Sequence, residues 1–253
     1  LFSKQVFNKS LVFVILACLL CVFSVRSVYA ATITVNDTTG LVNVDGLCSI
    51  VEAILNANDN DQSGSVDCVA GAGVDTISIT VDISLSGQFN NGGAEVSTAT
   101  PLIDESLNID GNGHQISNSL GGGINFIRST ATLIDISISD ITFVGGDTSS
   151  YAIRGGALSF ETAGTITISG VTFSGNMSER GGALYVRDTG GAGTIVNIDS
   201  STFESNSATG GGAIFIFDGV TLNIVNSTFI GNIASEEGGA LHSLQSVGSI
   251  NEI

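Results

Sequence analysis

The sequence predicts an all-β chain wound as a parallel β-helix, and three observations carry that prediction. The dipeptide Thr-Phe recurs at Phe143, Phe173, Phe203 and Phe229, at spacings of 30, 30 and 26 residues. Aliphatic residues stand seven places before each Phe (Ile136, Ile166, Val196, Leu222) and five before (Ile138, Ile168, Ile198, Ile224), with polar residues between. Each unit closes on Gly-Gly-Ala and an aliphatic, at Leu158, Leu184, Ile214 and Leu241. A period in this range means stacked supersecondary units. Leucine-rich repeats need another leucine spacing, propeller blades need about 40 residues, and a β-sandwich demands no columns in phase.

The alternation before each Phe has period two, so that segment is a strand with one buried face. Thr-Phe continues a second short strand, and Gly-Gly-Ala opens a third. Three strands per unit make one coil, and equivalent residues on successive coils then stack about 4.8 Å apart. The four Phe form a core ladder. Asn176, Asn206 and Asn232 follow the last three Phe by three residues, with Gly146 in the first unit. They are expected in turns, where Asn tolerates the left-handed region. Between Asp75 and Phe126 the repeat is degenerate, with Gln88–Pro101 as a loop thrown out from one coil. At roughly 28 residues per coil, residues 75–253 give about six coils.

Residues 1–30 stand apart. Lys4 and Lys9 precede an apolar run from Leu11 to Val25, and Val28-Tyr29-Ala30 ends in small residues, as a secretory signal cut between Ala30 and Ala31 does. The competing readings are an uncleaved anchor, for which the run is short, and a lipoprotein site at Cys18. Without this segment the chain keeps four Arg, no Lys and all 24 acids, a net charge of −20. That charge excludes nucleic acid as a partner and disfavours anionic membranes.

Residues 31–74 read as an N-terminal cap. Thr32-Ile33-Thr34-Val35 alternates as a strand, and Ser49 with Glu52 makes a capping box. Ile50, Ala53, Ile54 and Ala57 then line one face of a short helix, which needs an apolar surface to lie on. The open end of the first coil supplies it. Cys48 and Cys68, the cysteines outside the signal, are expected to form one disulfide. A zinc site would need more thiolate or imidazole ligands than this chain offers beside them.

Cys48-Ser49-Ile50-Val51-Glu52-Ala53-Ile54, preceded by Ile33-Thr34-Val35-Asn36 and Val44-Asp45-Gly46, resembles the CSLREA domain of bacterial surface proteins. The family's second Cys before Gly-x-Asp-Thr-Ile is matched by Cys68 and Gly73-Val74-Asp75-Thr76-Ile77, while Val51 replaces the family's Arg. The Phe-x-x-Asn and Gly-Gly-Ala units resemble the repeats of chlamydial polymorphic outer membrane proteins, which are surface adhesins and autotransporters. This resemblance, with the usual chirality of parallel crossovers, implies a right-handed coil.

The chemistry is sparse. Asp59, Asp61, Ser63 and Asp67 have the spacing of a calcium loop, but Ala70 stands where a bidentate Glu belongs. A solvated loop closed by the disulfide is the competing reading. Polysaccharide-cleaving β-helix enzymes need a base beside a carboxylate cluster, or two carboxylates at a set separation. Only Arg128, Arg154, Arg180 and Arg187 are available as bases, Gly113-His114-Gln115 reads as a turn, and the acids are scattered. No catalytic residues are assigned. Beyond the third-strand aliphatics, Ser159, Tyr185, Phe215 and His242 are expected to point outward in a column, with Tyr185 and Phe215 as a docking strip for a host or matrix glycan or protein. The alternative is that they cover neighbouring turns.

The expectation is therefore an exported surface protein that acts in adhesion or display. The runner-up is a carbohydrate-active β-helix enzyme. In register, Ile253 falls five residues before the next Phe, so the sequence reads as a fragment. A membrane would be reached only through an anchor beyond it.

Overall fold

The computed structural model describes residues 29–91, 98–150, 154–191 and 193–244. The proposed signal, apart from Tyr29 and Ala30, and the register position of Ile253 lie outside the described residues. Three parallel sheets form the sides of the coil. The first contains Thr32–Val35, Asp75–Ile79, Leu107–Asp110, Ile136–Ser139, Gly164–Ser169, Thr194–Asp199 and Val220–Val225. The second contains Ile83–Leu85, Gln115–Asn118, Thr142–Val144, Thr172–Ser174, Thr202–Glu204 and Thr228–Ile230. The third contains Ile127–Ser129, Leu158–Thr162, Leu184–Asp188, Ile214–Phe217 and Leu241–Leu244. Five complete turns thus run from Leu107 to Leu244. An incomplete turn precedes them; its third side is extended backbone, with Ala99 N donating to Asn125 O and Ile103 N to Arg128 O.

The expected columns pair in register. Ile166 faces Ile136 and Val196, Ile168 faces Ile138 and Ile198, and Phe173 faces Phe143 and Phe203. Ring centroids from Phe143 to Phe229 are 5.6, 4.6 and 4.8 Å apart, and Phe126 extends the stack at 5.7 Å. Phe126 breaks the period, which is why the repeat did not reveal it.

The corners explain the period further. Asp140, Gly170, Ser200 and Asn226, three residues before each Phe, all have positive φ, as do Gly145, Gly175, Ser205 and Gly231, two residues after. The Asn column is therefore not the left-handed one. Asn176 and Asn206 are fully buried. The Asn176 amide donates to Asn206 Oδ1 at 2.9 Å and to Phe143 O at 3.2 Å, and Asn206 repeats this with Asn232 and Phe173. An amide carries donors and an acceptor together, so like can bond to like one coil on. Turn tolerance was the wrong reason for this column; inter-coil hydrogen bonding is the right one.

The Gly-Gly pairs divide two tasks. Gly155, Gly181, Gly211 and Gly238 have φ between 64° and 74°. A Cβ on any of them would also meet the carbonyl oxygen three residues on, and one on Gly156, Gly182 or Gly212 would fall on the carbonyl oxygen of the equivalent glycine one turn on. The first position needs left-handed backbone and the second needs close stacking.

The cap helix spans Ile50–Asp59. Ser49 and Glu52 form the reciprocal capping box, and Asn60 ends the helix at φ 52°. Ile50, Ala53, Ile54 and Ala57 are buried, as expected, and so is Val51. The helix packs on the first two strands of the first sheet, so it closes the end of a core that begins with Ile33 and Val35. Cys48 and Cys68 are bonded, with Cα atoms 4.9 Å apart.

Candidate functional site

The outer face of the third sheet carries the anticipated column. Register pairing aligns Arg128, Ser159, Tyr185, Phe215 and His242. The aromatics are stacked, Tyr185 on Phe215 at 5.9 Å and Phe215 on His242 at 4.8 Å. They are not exposed, however: Tyr185 is 1% and Phe215 3% accessible. The chain between the second and third sheets makes a fourth layer, with bridges linking Asp147, Met177 and Ser207, and with Ser207–Gly210 paired to Ile233–Glu237. Phe215 and His242 lie against Gly210 of this layer. Alternation tells which face a residue takes; it does not tell whether another segment covers that face.

Arginines do part of the covering. The Arg154 guanidinium lies 5.4 Å from the Tyr185 ring centre, Arg180 5.3 Å from Phe215, and Arg187 5.3 Å from Phe217. Arg154 Nη1 reaches the Tyr185 hydroxyl at 3.5 Å. Such cation–π contacts hold a cation over a ring face while its edge stays wet. Arg128 is paired with Glu161 at 3.1 Å, and Arg180 Nε stands 4.0 Å from Glu179 Oε1. All four arginines of residues 31–253 therefore collect on one flank of a strongly acidic chain. Burial pushes the Tyr185 phenol above its ordinary value, against the opposing pull of Arg154.

At the end of this flank a cleft of about 130 Å³ is lined by Glu179, Arg180, Phe215, Glu236, Glu237 and His242 among others. His242 Nδ1 lies 3.2 Å from Glu237 Oε2, close enough for an ion pair but off the angle of a good hydrogen bond. The sequence singled out Phe215 and His242; it missed Glu236 and Glu237, which reach the cleft only because Ile233–Glu237 pairs over the third sheet.

The calcium-loop residues do not converge. Ser63 Oγ donates to Asp59 at 2.9 Å and Ser63 N to Asp61 at 2.7 Å, and the Ser63 bonds hold the Asp61 carboxyl below its ordinary value. Asp67 turns instead to the backbone N–H groups of Asp45 and Gly46 at 2.8 and 3.1 Å. Among the described residues no three His, Cys, Asp or Glu gather as metal ligands. His114 sits in a turn, its Nδ1 3.1 Å from Asp82.

Residues 69–178 match the family model of a pectate lyase-like adhesive domain. Residues 170–187, 200–216 and 226–244 match the Chlamydia polymorphic membrane protein repeat. Each model covers less than half of the chain. The unit with Gly146 in place of Asn lies outside the three repeat matches. Searches of curated proteins and of solved structures found no match.

Proposed function

We propose that this β-helix, similar over 69–178 to an adhesive domain and over its later coils to a membrane-protein repeat, is an exported surface adhesin. Its partner-binding face is the arginine–aromatic flank of the third sheet. The observation that carries this reading is the gathering of Arg154, Arg180 and Arg187 on that flank, beside a cleft that mixes Arg180, His242 and three glutamates. A rigid ladder of parallel strands presents these groups at a fixed repeat, which suits an extended glycan or protein surface better than a small substrate. Export is supported by the signal-like residues 1–30 and by a disulfide, which persists in oxidising compartments. The likeness of residues 31–80 to CSLREA domains of surface proteins points the same way.

Burial of Tyr185 and Phe215 moves the test to the residues above them. Exchanging Arg154 and Arg180 for Ser should cut retention of the exported protein on matrix-coated surfaces at least tenfold, with little change in thermal midpoint. Retention that is unchanged and independent of salt would overturn the flank assignment. The catalytic alternative is tested by incubating acidic polysaccharides with the protein, with and without calcium. Release of new reducing or unsaturated ends would replace adhesion with catalysis.

A further inference from the structure

Asp75 is a buried carboxylate, 1% accessible, at the start of the second strand of the first sheet. Its hydrogen bonds come from backbone N–H groups, Ala31 at 2.8 Å and Ala72 at 2.9 and 3.0 Å. Among the described residues it makes no ion pair. A buried carboxylate held only by amides lacks the compensating cation that usually accompanies such a charge. One of its two donors is the nitrogen of Ala31, the residue that would follow the signal cut. Tyr29 and Ala30 are exposed, whereas Ala31 is half-buried and its carbonyl accepts from Thr76 N at 2.8 Å.

We infer that Asp75 is a binding site for the α-ammonium group created by cleavage between Ala30 and Ala31. Removal of the leader thus completes a buried ion pair that locks the first strand onto the β-helix. The inference rests on the export reading. In the cleavage, water adds across the Ala30–Ala31 amide: the carboxylate departs with the leader, and the released amine of Ala31 takes up a proton. A neutral N–H donor 2.8 Å from Asp75 becomes a cationic one, roughly doubling the strength of the bond. Other acids on the elements around it are engaged elsewhere. Glu52 accepts from Ser49, Asp59 from Ser63, and Glu105 from Asn60. Asp104 is held above its ordinary value by burial and by the Glu105 and Asp59 carboxylates.

The sequence makes the test clean, because residues 31–253 contain no lysine and the new terminus is the sole amine among them. Express the full sequence with its leader, sequence the N-terminus of the exported protein, and react it with an acetylating reagent folded and unfolded. The expected start is Ala31, acetylated at least tenfold more slowly when folded. An Asp75→Asn variant should remove that protection. An ammonium paired in the fold contributes stability that is present below its unfolded pKa of about 7.7–8.0 and is lost as pH rises through the higher folded value. The thermal midpoint should therefore fall between pH 7 and 9.5 in the exported protein, and not in the same protein acetylated while unfolded and then refolded. If Asp75→Asn does not fold, this acetylated protein decides. Equal acetylation rates folded and unfolded, with identical pH profiles, would overturn the site. A different N-terminus would overturn the processing step and the export reading's cleavage position, separately from the site.

Discussion

Single residues here do work that their type alone would not suggest. Glu52 is a charged residue that is 1% accessible, because its Oε2 accepts from Ser49 N at 2.9 Å and its Oε1 from Asn43 N and Ser65 Oγ at 3.2 and 3.0 Å. It ties helix start, preceding loop and disulfide loop together. Glu52→Gln turns one acceptor into a donor and strands a buried partner, so a loss of about 1–3 kcal/mol is expected in urea denaturation. Tyr185 is the other case. Tyr185→Ser empties a buried aromatic site and should cost about 3–5 kcal/mol, whereas Tyr185→Phe keeps the ring and should cost far less. Burial also raises the phenol above its ordinary 10.0, so the folded state holds its proton longer than the unfolded one. Stability from this group is complete below pH 10 and falls as pH rises through the raised value. Thermal melts of Tyr185→Phe should lack that alkaline loss.

At the scale of the element, ladders rather than isolated contacts hold the coils. The buried Asn ladder and an exposed one can be compared directly. Asn206 is fully buried and bonded to Asn232 and Phe173, while Asn223 donates to Asn197 at 2.9 Å on the solvent side. Asn206→Ala takes their Asn206 partner from the backbone N–H and an amide N–H of Asn176 and from the Phe173 carbonyl, and should cost about 1–3 kcal/mol. Asn223→Ala exchanges its bond for water and should stay within about 0.5 kcal/mol. Equal urea midpoints for the two variants would show that the buried ladder is not what fastens successive coils.

For the whole molecule, the cap and the β-helix share one core. Ile33 and Val35 pair with Ile77 and Ile79, and Ile50, Val51 and Ile54 bury against the same cluster. The Cys48–Cys68 bond closes a separation of 20 residues that contains that helix, and Asn56 holds the segment after the helix through bonds to Ser65 and Val69. On the chain-entropy model, replacing both cysteines by Ser should lower stability by roughly 3 kcal/mol. Because repeat stability passes between neighbours, that loss should shift the main calorimetric transition downward. A separate early transition with an unshifted main one would mean that the cap folds by itself.

Sequence alone determined the coil: the Phe, the paired aliphatics and Gly-Gly-Ala repeat in phase because parallel stacking sets equal residues on one another at a fixed spacing. The capping box, the buried helix face and the disulfide were legible for the same reason, being local patterns or a pairing with few alternatives. What only the tertiary structure decided was cover and convergence. Tyr185 and Phe215 alternate outward as expected, yet a fourth layer and the arginines Arg154 and Arg180 lie over them, and no periodicity in a strand reports what crosses its outer face. Asp67 has calcium-loop spacing but its carboxylate is taken by Asp45 and Gly46 from another loop. Asp75 and Ala31 are 44 residues apart and meet only because the first strand pairs with the second. Local pattern sets the fold here, while partners brought from distant segments set the charges and the site.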